Sequence, residues 1–502
     1  MSSSRLLVFA PLRLEAACVS GELDCARVIQ SGMGPERARI AAARGLAVED
    51  ACGVAIVGLC AAAVPTLAPG DVVLGAELRG DQAGPVDAPG SRLLAGTLRR
   101  RHVHAHAGVL ASVGRIAGPA ERRFLAQQGA DAVDMESRWL ADAADGRPLV
   151  AMRVVVEGAH SETIHPRTAL AGVRALRQLR RAAPVLEQWR RTLRRRHVVL
   201  ASPRSFCAGV DRAIEIVEQA LAQRGAPVYV RKQIVHNEHV VSDLERRGAV
   251  FVDELDEVPS GATTVFSAHG VSPAVWAEAR QRGLDVIDAT CPLVGKVHAE
   301  ARRYAAAGNT VLLIGHGGHE EIEGTSGEAP DATMLIENVR DAERVRLRDP
   351  EHVSYLTQTT LAVDETEDIV ATLRARFPKL RGPSTDDICY ATTNRQQAVR
   401  EVARRVDVLL VVGSQTSSNS RRLVEVAERE GTPAYLVDDE SDVELEWLED
   451  AGSVGISAGA SAPESLVQRM TTSIAALGGA TVEEQTTAEE SVRFRLPVEV
   501  RG

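Results

Sequence analysis

Three cysteines in the C-terminal part of the chain have the spacing expected of ligands to a reactive inorganic centre. Cys207, Cys291 and Cys389 lie 84 and 98 residues apart, and each comes just before a helix-like segment. The positive end of a helix stabilises a thiolate at such a position. Single cysteines from separate segments can ligate three irons of a [4Fe–4S] cluster and leave the fourth iron open to substrate. The alternative is three small buried residues at helix starts.

The overall use of cysteine favours a metal or catalytic role over a disulfide framework. The chain has seven cysteines, an odd number, and it contains no Cys-x-x-Cys pair of the kind that closes a structural zinc site. The other four cysteines lack metal-site spacing, and we expect them to be small buried residues. These are Cys18, Cys25, Cys52 and Cys60.

Polar loops follow the three cysteines at nearly constant distances. His236, His319 and Ser418 come 29, 28 and 29 residues after their cysteines, and a second set of polar loops surrounds His269, Thr359 and Ser461. A repeat of this kind predicts three similar structural units. Because loops at the carboxyl ends of parallel strands meet at one edge, the repeat predicts one central cavity.

The predicted cavity is rich in neutral hydrogen-bond donors, which suit a phosphate or diphosphate without a P-loop lysine. No Walker motif is present, so the sequence does not support nucleoside-triphosphate chemistry. Each Ser or Thr alone could be a turn or cap residue, but their recurrence favours ligand binding. The donors are His236, Asn237, His269, Gln358, Thr359, Thr360, Ser417, Ser418, Asn419 and Ser461.

One glutamate in the loop GHGGHEEIEG is a candidate acid. Glu321 lies two residues after His319 in this loop. Partial burial and nearby negative charge would raise the pKa of such a carboxyl, which could then deliver protons. The alternative is a solvated surface glutamate.

Alternating strands and helices must position these residues. Short apolar segments such as VYV, TVLLIG and DVLLVVG alternate with helical patterns, which is typical of parallel α/β architecture. We predict an N-terminal domain over residues 1–184, a basic linker over 185–196 and a C-terminal domain over 197–502. Subdomains are predicted near 197–290, 291–388 and 389–480.

Composition limits the classes of protein to which the chain can belong. Its 502 residues predict two to four domains, and the net charge of −10 argues against a general nucleic-acid binder. We expect the basic run at 190–196 to be a solvated linker helix rather than an RNA-binding patch. No apolar stretch is long enough to span a membrane, and charges at Arg5, Arg13 and Glu15 interrupt any secretory signal, so we expect a cytoplasmic location.

The C-terminal motifs closely resemble one family. PRSFCAGVDRAIEIV, FSAHGVSP, DATCPLVGKVH, GHGGHEEIEGT, TQTTL, DDICYATTNRQ, VVGSQTSSNSRRL and SAGASAPE resemble, in this order, the 4-hydroxy-3-methylbut-2-enyl diphosphate reductases of the non-mevalonate isoprenoid pathway. The resemblance runs from about residue 197 to the end. Three positions depart from the family pattern, which puts loop geometry in doubt more than chemistry: Ser205 replaces a Gly, Gly295 a Thr and Glu320 a Pro.

The resemblance implies a trefoil of three α/β subdomains with a pseudo-threefold arrangement around an oxygen-sensitive [4Fe–4S] cluster held by the three cysteines. Two electrons, from ferredoxin or flavodoxin, and two protons would expel water from the allylic diphosphate. The products would be isopentenyl and dimethylallyl diphosphate. Glu321 would be the proton source, Thr359 its hydrogen-bonding neighbour, and His319 part of the same site. The implied diphosphate ligands are His236, His269, Ser417, Ser418, Asn419 and Ser461.

The N-terminal motifs SGMGPERARIAAARG, VAIVGLCAAAVPTLAPGDVVL and AVDMESRWLADAA resemble the purine nucleoside phosphorylase and nucleosidase superfamily, including members linked to hopanoid biosynthesis. The resemblance covers most of residues 5–175. It implies that Met135 and Glu136 bracket a ribose and that Glu15 lies near the sugar or nucleophilic water. Glu157 stands where the family has an Asp that protonates the purine. The alternative is a non-catalytic α/β module.

Two rivals to the reductase hypothesis come from other classes of protein. A cluster-bearing sensor or scaffold would bind ligand in the cavity without turnover. A zinc-binding structural protein would contain zinc in place of iron.

Overall fold

The computed structural model describes residues 5–81, 83–161 and 166–501. They form two compact units. The first contains Met1–Val198, Asp439–Val454 and Gln468–Glu483, and the second contains Val199–Asp438, Gly455–Val467 and Glu484–Gly502.

The first unit is built on an eight-stranded sheet. Seven strands run in the order β2-β1-β3-β7-β6-β4-β5, and β8 pairs with β3 and β4. The strands are β1 (Arg5–Ala10), β2 (Ala26–Gln30), β3 (Ala51–Ala62), β4 (Val72–Gly80), β5 (Ala83–Asp87), β6 (Ala105–Ser112), β7 (Ala132–Asp134) and β8 (Leu149–Glu157). The helices are α1 (Arg13–Ser20), α2 (Pro35–Leu46), α3 (Ser91–Arg100), α4 (Pro119–Gln127), α5 (Ser137–Leu140), α6 (Pro166–Ala182) and α7 (Pro184–Thr192).

Continuous apolar runs place the centre of this sheet in the core. In β1 every residue after Arg5 is buried, and β1 and β8 both pair in parallel with β3. Strands buried on both faces read as near-continuous apolar runs, as these do. Asp134 and Glu157 are the last residues of β7 and β8. Both strands pair with β3 at Ala61, β7 antiparallel and β8 parallel, and this register brings the two acidic residues close together.

The basic stretch before the second unit is only partly solvated. Trp189 in α7 is 1% exposed and Arg196 is 2% exposed. Arg196 donates a hydrogen bond to the main-chain oxygen of Leu448 at 2.7 Å. Only the first part of 190–196 is helical, because α7 ends at Thr192 and a strand begins at Arg196. Arg191, Arg194 and Arg195 are exposed, as expected of a solvated run.

From Arg196 onward the chain alternates strands and helices, as the apolar pattern predicts. The strands are β9 (Arg196–Ser202), β10 (Val228–Arg231), β11 (Ala249–Val252), β12 (Thr263–Phe266), β13 (Asp285–Asp288), β14 (Thr310–Ile314), β15 (Thr333–Ile336), β16 (Val353–Thr357), β17 (Val408–Val412), β18 (Ala434–Val437), β19 (Ser453–Ala458) and β20 (Ala480–Thr486). The helices are α8 (Ala208–Arg224), α9 (Glu238–Arg246), α10 (Pro273–Gln281), α11 (Pro292–Ala306), α12 (Glu320–Gly327), α13 (Val339–Arg344), α14 (Val363–Arg376), α15 (Tyr390–Ala403), α16 (Ser418–Arg429) and α17 (Glu464–Ala475).

Three further sheets confirm the mixed α/β class. One has the order β11-β10-β12-β13, one has the order β15-β14-β16, and both are parallel throughout. The third has the order β18-β17-β19-β9-β20. Strand β9 leads directly to Cys207 yet belongs to this third sheet, which the order of segments along the chain did not predict.

Helix α8 shows how apolar spacing fixes each helix on its sheet. Its buried residues Ala213, Ile216, Val217 and Ala220 recur at helical spacing and share one apolar cluster with residues of β10, β12 and β13. Fully burying one such Val or Ile contributes about 1.5–3 kcal/mol. Within the described part of the chain, no helix is both long and apolar enough to cross a membrane.

Candidate functional site

All three predicted cysteines line one cavity of the second unit. Each precedes the first residue of a helix: Cys207 caps α8, Cys291 caps α11 and Cys389 caps α15. A Cβ atom at Gly209 would lie 2.7 Å from Sγ of Cys291 and 3.8 Å from Sγ of Cys207. A glycine therefore keeps the space between two sulfur atoms free.

Cys291 and Cys389 lie in surroundings that disfavour bare thiolates. Burial raises the pKa of Cys291 to about 12, and the other two cysteines add to this effect. Burial likewise raises the pKa of Cys389 to about 11, although its Sγ accepts a hydrogen bond from the Thr392 N–H at 3.3 Å. The described residues that line the cavity include no Lys or Arg. A cationic metal centre would supply the positive charge that the side chains lack.

A buried arginine fixes the loop that carries Cys207. Arg395 is fully buried and donates to the main-chain oxygens of Ser205 at 2.7 Å and Phe206 at 3.2 Å. It also pairs with Glu490 at 3.0 Å. Ser205 has a φ of 60°, a conformation that favours glycine, and its hydroxyl donates to Glu464 at 2.7 Å. The serine thus keeps the loop geometry for which glycine is better suited.

Glu321 has the environment of a proton donor. Its carboxyl group is buried and accepts hydrogen bonds from the Thr359 N–H at 2.7 Å and the Thr359 hydroxyl at 3.1 Å. Burial raises its pKa to about 7, against the lowering effect of these two donors. A carboxyl with this pKa retains its proton in a large share of molecules at neutral pH.

Three imidazoles gather beside this acid. The rings of His236 and His269 stack with centroids 4.3 Å apart, and the His319 ring lies edge-on to them at 5.6 and 5.7 Å. Burial lowers the pKa of His236 and of His319 to about 3, and repulsion from His269 adds to this. Nδ1 of His319 accepts the Glu321 N–H at 3.2 Å, so its proton resides on Nε2, where it can be donated.

Hydroxyl and amide groups of α16 and its neighbouring loop form the opposite wall. Asn419 accepts the Ala460 N–H at 2.9 Å, and the Ser461 hydroxyl donates to the His236 carbonyl at 3.1 Å. The Ser418 hydroxyl and Nε2 of His236 are buried without a hydrogen-bond partner in the described part of the chain. Unsatisfied buried polar atoms in a cavity wall are expected where a polar ligand binds.

The structure brings together nearly all the predicted residues of the second unit. The cavity wall includes Cys207, His236, His269, Cys291, His319, Glu321, Thr359, Thr360, Cys389, Ser417, Ser418, Asn419 and Ser461. Gln358 is not part of this wall, because its carboxamide accepts the His316 N–H at 3.2 Å and donates to Thr360 at 2.9 Å. Its contact with substrate stays a prediction.

Sequence reasoning missed two supporting residues. Thr392 contacts Sγ of Cys389 through its N–H and its hydroxyl, and Arg395 holds the loop before Cys207. Both lie within the motif ICYATTNRQ. A basic residue on the side of α15 that faces the core is the signal that could have identified Arg395.

A second cavity in the first unit is lined by the four N-terminal candidates Glu15, Met135, Glu136 and Glu157. It also contains Asp134 and Arg153, which sequence reasoning missed. The Arg153 guanidinium is fully buried and lies 2.7 Å from Asp134 and 3.6 Å from Glu136. An arginine in the otherwise apolar strand MRVVVE was the available signal.

Burial shifts the protonation of these carboxyl groups. It raises the pKa of Glu15, whose carboxylate oxygens accept the N–H groups of Leu12 at 2.7 Å and Leu59 at 3.0 Å. Burial raises the pKa of Glu136 to about 7, although Arg153 opposes it. The pKa of Glu157 is raised by burial despite an ion pair with Arg122 at 3.0 Å. Three acids whose pKa values are raised by burial thus surround one cavity.

The remaining four cysteines were expected to be small buried residues, and this is only partly confirmed. Cys60 is buried and lines this second cavity, and burial raises its pKa. Cys18, Cys25 and Cys52 are half-buried, and none of the four forms a disulfide.

Known proteins match the C-terminal part of the chain. A model described as LytB protein matches residues 198–475. The 4-hydroxy-3-methylbut-2-enyl diphosphate reductase 2 of Mycobacterium bovis is 58% identical over 309 residues, covering 61% of this chain and 94% of that protein. The structure of E-1-hydroxy-2-methyl-but-2-enyl-4-diphosphate reductase from Plasmodium falciparum is similar with a TM-score of 0.59 and 36% identity, covering 61% of this chain and 97% of that chain.

A weaker match is a Helicobacter pylori 5′-methylthioadenosine/S-adenosyl homocysteine nucleosidase, at 15% identity and a TM-score of 0.33. It covers 37% of this chain and 97% of that chain. A likeness this weak says nothing about what the N-terminal residues do.

Proposed function

The chain belongs to the LytB family, and on this premise we propose that its second unit reduces 4-hydroxy-3-methylbut-2-enyl diphosphate to isopentenyl and dimethylallyl diphosphate at a [4Fe–4S] cluster. The observation that carries the proposal is the meeting of Cys207, Cys291 and Cys389 in one cavity with the buried acid Glu321. No zinc-type fourth protein ligand is needed for a cluster with one open iron.

The cavity fits such a cluster. Gly209 leaves room between two of the sulfur atoms, and the described wall carries no Lys or Arg that would otherwise balance three thiolates. When bound, the cluster supplies the two electrons of the reaction, received from ferredoxin or flavodoxin. The three cysteines would hold it.

The chain's own residues bind the diphosphate and move protons. The reaction consumes two electrons and two protons, breaks the allylic C–O bond and releases water. Glu321 provides a proton from its buried carboxyl, which Thr359 orients through two hydrogen bonds. The free donors at Ser418 and His236, with His269, His319, Ser417, Asn419 and Ser461, bind the phosphate oxygens.

Turnover by anaerobically reconstituted protein tests this proposal. With reduced methyl viologen and the diphosphate substrate, we expect both isopentenyl and dimethylallyl diphosphate. Binding without product would favour the sensor or scaffold. Zinc in place of iron and sulfide, with no visible cluster absorption, would favour the structural protein.

For the first unit we propose a nucleosidase that acts on purine nucleosides with an apolar 5′ substituent, as in hopanoid biosynthesis. The supporting observation is the set of large apolar side chains exposed on the cavity wall beside the acids: Leu12 is 37%, Met33 43% and Ile116 60% exposed. Exposed apolar surface at the edge of a polar site indicates contact with an apolar partner.

The acids of this cavity suit hydrolysis of an N-glycosidic bond. Water adds to the anomeric carbon as the C–N bond breaks, and a carboxylate such as Glu15 takes the proton of the water. Glu157 is placed to return a proton to the purine, and Glu136 with Met135 to hold the sugar. Arg153 keeps Asp134 and Glu136 charge-balanced in the buried site.

Purine release from adenosine and from an adenosine with a lipid-like 5′ group tests this second proposal. We expect faster release from the apolar substrate, and loss of release in Glu136→Gln. Glu49→Gln is a matched control, because Glu49 is exposed in the same unit. No purine release from either substrate would instead favour the non-catalytic module.

A further inference from the structure

We propose that Glu320 is a positioning residue for diphosphate binding: its carboxylate holds the Nδ1 proton of His269 and so allows the same ring to carry a second proton on Nε2, which donates to a phosphate oxygen. The inference rests on the proposed diphosphate site of the second unit. It concerns a residue for which sequence reasoning predicted no role.

The contacts of Glu320 are specific. Its Oε2 lies 3.1 Å from Nδ1 of His269 and accepts a hydrogen bond from the Ser267 hydroxyl at 3.3 Å. Ser267 also lies 3.3 Å from Nδ1 of His269. The side chains of His269 and Glu320 are only 15% and 19% exposed. Because a carboxylate can only accept, Nδ1 of His269 carries the proton in this arrangement.

Glu320 is ionised in these surroundings. Burial alone would raise its pKa, but the interactions with His269, above all the hydrogen bond, outweigh burial and lower the pKa below its usual value. The carboxylate is thus present to balance a positive charge on the His269 ring, which arises if Nε2 takes up a second proton.

The other titratable groups described around His269 do not accept its Nδ1 proton. His236 stacks on the ring and His319 meets its edge, and burial lowers the pKa of both to about 3, so they are neutral. Glu321 interacts electrostatically with His269, but its oxygens accept hydrogen bonds from Thr359. Arg421, which acts on His236 and His319, has only donor groups and cannot accept the Nδ1 proton. His269 is therefore the ring in this group that has its own carboxylate partner.

The charge of Glu320 gives opposite predictions for two models. If Glu320 were a bystander, its negative charge would repel a diphosphate, and removing the charge would tighten binding. If Glu320 supports a protonated His269, removing the charge weakens binding, because the ring then donates as a neutral group or not at all.

A divalent cation is the competing explanation for the same residues. Ligand atoms of His236, His269 and Glu320 lie within 4.8 Å of one another. However, the two rings stack with an interplanar angle of 28°, and a metal ion binds in the plane of each imidazole. Two nearly parallel rings cannot both direct a nitrogen at one ion without rotating, so the hydrogen-bonded pair fits the observed geometry better.

Calorimetric titration of the cluster-loaded full chain with inorganic diphosphate tests the inference. Titrations in two buffers with different ionisation enthalpies, each containing a chelator, report the dissociation constant and the protons taken up on binding. We expect proton uptake by the wild type at about pH 8. We expect Glu320→Gln to bind about tenfold more weakly with reduced uptake.

Glu323→Gln is the matched control, because Glu323 is exposed on the same helix. It should bind and take up protons as the wild type does. Equal or tighter binding by Glu320→Gln, or unchanged proton uptake, would overturn the inference, as would loss of wild-type binding caused by the chelator.

A second readout separates positioning from general damage to the fold. In turnover assays Glu320→Gln should raise the KM for the diphosphate substrate about tenfold and change kcat by less than about threefold. Equal losses in kcat and kcat/KM would contradict a positioning role. If the wild type bound no diphosphate at all, the proposed site itself, and not only the role of Glu320, would be wrong.

Discussion

Replacing Glu321 by Gln isolates the proton that this side chain is proposed to deliver. The amide keeps the size of the carboxyl and can still accept from the Thr359 N–H and hydroxyl, which lie 2.7 and 3.1 Å from the carboxylate oxygens. The charge of the resting site changes little, because a carboxyl with a pKa of about 7 is largely protonated below neutral pH. The variant therefore lacks the acid but retains most of the binding geometry.

The structure sets the size and the pH dependence of the effect. Moving the pKa from 4.5 to about 7 makes ionisation of Glu321 roughly 3 kcal/mol more costly than in water. The protonated form dominates below that pKa, so wild-type kcat should be highest at acidic pH. It should fall about tenfold for each pH unit well above neutrality. General acid catalysis is worth about 100-fold to 10,000-fold, so we expect kcat of Glu321→Gln to fall by at least about 100-fold.

Steady-state kinetics with reduced methyl viologen under anaerobic conditions, between about pH 6 and 9, provide the assay. Glu323→Gln is the control for loss of a carboxyl from the same helix. Thr359→Val removes a hydroxyl that lowers the pKa of Glu321. In this variant the decrease of kcat at alkaline pH should therefore begin at a higher pH than in the wild type. A proton donor at this position would be refuted if Glu321→Gln retained more than about a third of the wild-type kcat with the same pH profile.

Three further predictions concern the proposed metal centre and the buried arginines. Anaerobically purified wild type should contain about four irons per chain. Iron and sulfide analysis of Cys291→Ser should show that most of this iron is lost, whereas the control Cys18→Ser should retain it. Arg395→Met should lower the free energy of unfolding by about 3–5 kcal/mol, seen by calorimetry, and reduce iron content, because Glu490 and the Ser205 carbonyl lose a buried partner. Arg153→Met removes the positive charge that lowers the pKa values of Glu15 and Glu136, so both should rise further. Raised carboxyl pKa values confer stability that is lost as the pH rises. The melting temperature of the variant should therefore approach that of the wild type near pH 5 and fall well below it near pH 8.

Local pattern was enough to identify the elements that carry the site. The apolar segments TVLLIG and DVLLVVG are strands β14 and β17, and each of the three cysteines caps a helix, as their positions predicted. These features are encoded within a few residues: continuous apolar runs indicate buried strands, and certain residue types indicate where a helix begins. The similar offsets after each cysteine also predicted a shared cavity.

Pairing between distant segments could not be predicted in this way. Strand β9 joins the third sheet rather than the strands that follow it, and Gln358 turns its amide toward His316 and Thr360 instead of the cavity. The last arginine of the basic run, Arg196, is buried, whereas Arg191, Arg194 and Arg195 are exposed. Each outcome depends on contacts between residues far apart in the chain, which single-sequence periodicity does not encode.

The sequence by itself determined which groups are available: three thiols at helix starts, a loop with two adjacent glutamates, and hydroxyl-rich loops after strands. Only the tertiary structure decided how these groups behave. It raised the pKa of Glu321 to about 7 by burying it, paired Glu320 with His269, and surrounded Arg153 with Asp134 and Glu136. The physical reason is that protonation and charge depend on desolvation and on partners within a few ångströms, and folding alone brings those partners together.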